Sequence, residues 1–140
     1  MYSKYLVDGE IKPEYTKTFL SIFDGWLGEA NLHKLDEVTA KDWSKFNDLI
    51  RKVAQVYKIQ RVDSEKEIFV PVNDVEKLLS NYEEAMNKDS SEFTRIFIPS
   101  LDCIISEDWD YTYILWCRNS ESVEKLKPLI EEAGLFSFRD

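Results

Sequence analysis

Glycine and histidine are scarce in this chain, and the scarcity removes whole classes of function. Four glycines in 140 residues leave no room for GxGxxG or GxxxxGK[ST], the loops whose backbone amides cradle phosphate. The common nucleotide-binding enzymes go with them. The serine elbow of the α/β-hydrolases is missing for the same reason. His33 is the single histidine, which excludes His-rich zinc sites and catalysis by paired imidazoles.

Long apolar runs are absent as well. Nothing approaches the roughly 18 residues that a membrane span requires, and the N-terminal MYSKYLVDGEIKPEY has neither the basic nor the apolar region of a secretory signal. The expectation is a cytoplasmic protein with no membrane contact. Its two cysteines are Cys103 and Cys117. A hairpin turn centred near Glu107 and Asp108 would put Cys103 opposite a residue near Tyr111 or Tyr113 and leave Cys117 beyond it, so two separate, reduced, half-buried thiols are expected. Both lie in apolar strands, away from any helix N-terminus or cluster of positive charge. That disfavours a reactive thiolate paired with His33.

What the chain does have is apolar and aromatic mass. Hydrophobic residues make up 44%, with four Trp, seven Tyr and eight Phe, enough for a packed core. The length suits a single globular domain spanning 1–140, burying roughly 70% of the surface that its unfolded chain would expose. There is no internal repeat, low-complexity tract or Gly/Ser linker.

Local patterns predict the elements. Tyr15, Phe19, Ile22, Phe23 and Trp26 fall on one side of a 3.6-residue period behind Pro13, so a helix is expected over about 13–26. Thr39 with Asp42 forms a capping-box pattern, and Trp43, Phe46, Ile50, Val53 and Tyr57 continue it as the clearest helix. After a polar link over 60–66, residues 67–72 read as an edge strand stopping at Pro71. Asn73 and Glu76 then cap a helix with Val75, Leu78, Leu79, Tyr82 and Met86 on its apolar stripe. Over about 93–118 the period changes to two. This central aromatic-rich hairpin has a first strand interrupted by a bulge at Pro99 and Ser100 and a second strand with one core face, Trp109, Tyr111, Tyr113, Leu115 and Cys117, and one half-apolar face, Asp110, Thr112, Ile114 and Trp116. A last helix from about Glu121 to Ala133 contains Pro128, which should kink or confine it, and closes on Gly134. Leu135–Phe138 returns as a short strand. The order predicts an α+β fold: a small, mainly antiparallel sheet with about four helices packed against it.

Charge is the remaining clue. The net charge is -9, and residues 71–140 carry 15 Asp and Glu against 7 Lys and Arg. Such a field repels nucleic acid and attracts basic partners. Asp102, Glu107, Asp108 and Asp110 could gather as metal ligands or as an acid/base pair. They lack the glycine and terminal glutamate of a calcium loop, and a polar hairpin turn whose Asp and Ser residues cap their own backbone accounts for them better. No catalytic residue, metal site or cofactor is assigned. The preferred expectation is a non-enzymatic acidic protein-binding module, of the kind that immunity proteins and antitoxins represent, with a basic protein partner at Glu107, Asp108, Trp109, Asp110, Thr112 and Trp116. The alternatives are a carboxylate-dependent enzyme or divalent-metal-binding domain, and a structural homodimer joined through the half-apolar strand face.

Overall fold

Thr39 caps the longest helix as its sequence predicts. Its hydroxyl accepts the Asp42 N–H at 3.3 Å, while an Asp42 carboxylate oxygen accepts the Thr39 N–H at 3.1 Å. Two orphan amides are thereby satisfied at the start of the helix Ala40–Val56. The computed structural model describes residues 2–8, 10–89, 92–109 and 111–139. In chain order its elements are β1 (Leu6–Val7), β2 (Glu10–Ile11), β3 (Thr16–Ser21), α1 (Ala40–Val56), β4 (Gln60–Asp63), β5 (Ile68–Pro71), α2 (Tyr82–Met86), β6 (Arg95–Ile98), β7 (Cys103–Asp108), β8 (Thr112–Cys117), α3 (Ser120–Glu132) and β9 (Phe136–Phe138), with short 3₁₀ helices between them.

The fold is α+β. Seven strands form one sheet in the order β5-β4-β6-β7-β8-β3-β9, and β1 pairs with β2 separately. Every pairing among the described residues is antiparallel. Strand alternation sends Leu20, Ile96, Ile98, Ile105, Tyr113 and Leu115 to one face, where Trp43, Phe46, Leu49, Ile50 and Val53 of α1 and Leu126 and Ile130 of α3 complete the main core. Phe46, wholly buried, stacks on Tyr113 with ring centroids 4.6 Å apart. The opposite face carries Val62, Phe97, Ile104 and Trp116, and Tyr2, Tyr5, Leu6 and Tyr15 from the N-terminal segment pack over it. Among the described residues no helix is long and apolar enough to cross a membrane.

Several local expectations give way to this arrangement. The helix expected over 13–26 is instead β3, held between β8 and β9. Its two apolar residues, Phe19 and Leu20, are adjacent and are both buried, on opposite faces of the strand, and the two neighbouring strands cover both. The polar link over 60–66 contains β4, whose Val62 faces the second core. The bulge at Pro99 and Ser100 is a complete reversal: a 3₁₀ turn, Pro99–Leu101, ends on Asp102 at φ +56, so Arg95–Arg118 forms three strands rather than two. The helix expected after Asn73 breaks into a 3₁₀ turn, Val75–Leu78, capped by Asp74, and the short α2. Pro128 does lie inside a helix of 13 residues. Gly134 takes φ +84, its N–H reaching Glu131 O at 2.9 Å and the Leu135 N–H reaching Ile130 O at 3.1 Å, the two bonds of a Schellman cap.

The thiols also differ from expectation. Asp108 lies opposite Thr112, so the β7–β8 connection falls later than expected, and this register sets Cys103 directly opposite Cys117. Both are buried and unbridged. Each thiol lies beside the other in the core, and Cys117 is pushed far above the ordinary thiol value by Cys103 and then by burial.

Candidate functional site

The β7–β8 connection holds Trp109 and Tyr111, the latter at φ +56; Asp110 lies outside the described residues. Strand alternation distributes the residues around this turn to different surroundings. Glu107 faces the helices, opposite Tyr113. Its Oε1 accepts the Lys88 ammonium at 2.8 Å and the Thr94 N–H at 3.0 Å, and its side chain is only 2% exposed. Thr112 is buried. Trp116 donates its indole N–H to Ser106 Oγ at 2.9 Å, packs against the second core, and has the Lys17 ammonium 5.0 Å above its ring. These three residues belong to the interior of the sheet and its coverings. Among the described members of the expected set, Trp109 is exposed, at 58%, and Asp108 is half-buried, as is Trp116, whose ring packs against the second core.

Trp109 is nonetheless held. Phe93 meets its ring edge-on, with centroids 4.8 Å apart and planes at 70°. The two form a corner of a pocket of about 150 Å³, completed by Trp43, Ala85, Met86, Glu107, Asp108 and Tyr111. Trp43 is fixed by its own N–H, which donates to Ser80 O at 3.0 Å, and the Tyr111 hydroxyl lies 3.3 Å from that of Tyr82. The apolar walls are therefore positioned from α1, α2 and the strand ends. Glu83, Glu84, Asp89 and Glu92 flank the lining residues in sequence and are all exposed. Over residues 82–92 and 107–109 there are six carboxylates and one lysine, and that lysine is committed to Glu107.

Met86 and Phe93 were not among the site residues expected from the sequence, which placed Met86 on the apolar stripe of a helix. Phe93 had a signal, as an aromatic residue closing an otherwise acidic and polar run, Asp89–Glu92. Met86 is 42% exposed, where a helical stripe would bury it, because α2 is only five residues long.

Asp102 does not join the acidic turn. It precedes Cys103, at the far end of β7, about 20 Å of extended strand from Asp108. There its Oδ2 lies 3.7 Å from Arg118 Nε, and the Arg118 guanidinium stands 5.1 Å from the Tyr15 ring. Burial first, and the Asp102 charge second, push the Tyr15 phenol up to about 12. Burial and Asp102 likewise push Tyr5 up. This group ties the N-terminal segment to the strand ends. Among the described residues, no three His, Cys, Asp or Glu side chains gather as metal ligands.

Neither protein-family models, curated proteins nor solved structures yield a match to this chain.

Proposed function

We propose that the protein is a non-enzymatic acidic binding module that holds a basic protein partner at the Trp109 surface, in the manner of an immunity protein or antitoxin. The observation that carries this reading is the exposed Trp109 ring, braced by Phe93 within a strongly acidic neighbourhood. Tryptophan is the side chain most often found at the energetic centre of protein interfaces, and a ring already held in place loses little freedom on binding. Asp108 supplies a polar contact beside it. The surrounding carboxylates steer a cationic partner and accelerate its capture. Glu107, although buried, serves the site by holding Lys88 and Thr94 in position.

The test is affinity capture from the native host, followed by binding measurements with the purified captured protein. Replacing Trp109 by Ala should weaken binding by about 2 kcal/mol or more, and affinity should fall as salt rises. A partner whose affinity ignores both Trp109→Ala and salt would defeat the reading.

The homodimer reading moves to a different surface. The half-apolar face of β8 is covered by the N-terminal segment at Trp116, whereas β9 ends the sheet and leaves Phe136 half exposed, and Trp26, also exposed, packs on Phe138 of the same strand at 5.0 Å. Light scattering over a dilution series decides it: a constant monomer mass removes the dimer.

A further inference from the structure

We infer that the pocket beside Trp109 is built to receive one arginine side chain of the partner. This deepens the binding-module reading and rests on it. The pocket's size sets the scale of its occupant. About 150 Å³ admits a single long side chain and excludes a segment of backbone. Its walls set the chemistry. Trp43, Phe93, Trp109 and Tyr111 present four aromatic rings, and Glu107 and Asp108 are the charged members of the lining, with no basic side chain among the described residues there.

Glu107 is already paired with Lys88 at 2.8 Å, so a neutral aliphatic side chain would satisfy the rings but leave Asp108 without a counter-charge. A cation satisfies both, through the negative faces of the rings and through Asp108. Arginine fits this corner better than lysine. Its guanidinium is flat and weakly hydrated, so it can lie on one ring while its edge N–H groups point to a carboxylate. Phe93 and Trp109, with planes 70° apart, offer one ring to stack on and a second to close the side. The acidic residues outside the pocket, Glu83, Glu84, Asp89 and Glu92, make the approach favourable for a positively charged surface and for the arginine it presents.

The experiment uses the full chain and small probes: N-acetyl-arginine methylamide and its neutral isostere, N-acetyl-citrulline methylamide. Nitrogen–proton spectra follow the Trp109 indole N–H during each titration. The arginine probe should shift that resonance saturably, with an affinity about tenfold higher than that of the citrulline probe. Asp108→Asn should weaken arginine binding about threefold or more while leaving the thermal midpoint unchanged. Equal affinity for the two probes overturns the inference, because the pocket is then merely apolar. No saturable shift with arginine also overturns it; retained salt- and Trp109-dependent capture of a protein partner would leave the binding module standing. Loss of both would remove both.

Discussion

Lys88 and Glu107 meet at 2.8 Å, with side chains 13% and 2% exposed, and residues in this position are the ones whose roles the sequence most easily disguises. In the sequence Glu107 is one acid among several in a turn. Among the ion-paired carboxylates of the described residues it has the lowest exposure, because a single step along a strand separates the helix-covered face from the open one. Removing one partner of a buried pair leaves a charge without compensation. Lys88→Met should therefore lower stability by about 3 kcal/mol in urea denaturation. Adding Glu107→Gln should recover much of that loss, since a neutral amide still accepts the Thr94 N–H. If the double variant is no more stable than the single one, the charge on Glu107 is not what Lys88 offsets. Trp109 belongs to the opposite case. Its aromatic identity and its place beside acids were legible from the sequence, but the support from Phe93 and the pocket with Trp43 bring together residues 66 positions apart, which no local pattern encodes.

Elements were legible where capping and burial agree. α1 has a reciprocal cap and a single apolar face, and both survive unchanged into the fold. α3 ends where Gly134 ends it, since φ +84 is a conformation that other residues adopt only at a cost. Gly134→Ala should cost about 1 kcal/mol, read as a lower urea midpoint with unchanged slope. The added methyl would meet only the flexible Lys45 side chain at 3.4 Å, so the backbone rather than crowding sets the loss. An alanine variant as stable as the parent would show that this cap contributes nothing. β3 was illegible for a physical reason: Phe19 and Leu20 are adjacent and buried on opposite faces, which leaves no period of two to read, while the aromatic residues before and after them fall at helical spacing. The same holds for β4, where a single apolar residue, Val62, is enough when two neighbouring strands supply the rest of the burial. The β6–β7 reversal was hidden because Pro99 and Ser100 are compatible with a bulge or a turn, and only the pairing of Arg95 with Ser106 and Ile98 with Cys103 distinguishes them.

At the scale of the whole molecule, burial on both faces of the sheet couples stability to the ionisation of tyrosines. Tyr113 in the main core is held well above its ordinary value by burial and then by Glu107; Tyr5 and Tyr15 under the N-terminal segment are raised by burial and Asp102. A phenol whose folded value exceeds its unfolded one stabilises the fold fully below the unfolded value, and that contribution is lost as pH rises through the folded one. For Tyr15 the window runs from its ordinary 10.0 to about 12. The urea midpoint should therefore be lower at about pH 11.5 than at about pH 9, with phenolate absorbance appearing late for the folded chain. Equal midpoints, or all seven tyrosines ionising together near the ordinary value, would contradict this coupling.

The sequence by itself determined the α+β class, the capped helix α1, the glycine-ended α3 and the acidic C-terminal half, because these depend on short-range spacing, cap chemistry and composition. Only the tertiary structure decided the strand order, the pairing of Cys103 with Cys117, the insertion of β3 between β8 and β9, and which face of β7 and β8 each acid and aromatic occupies. Those outcomes depend on register, and register is set by partners distant in sequence: a shift in the centre of one turn moves every cross-strand neighbour with it.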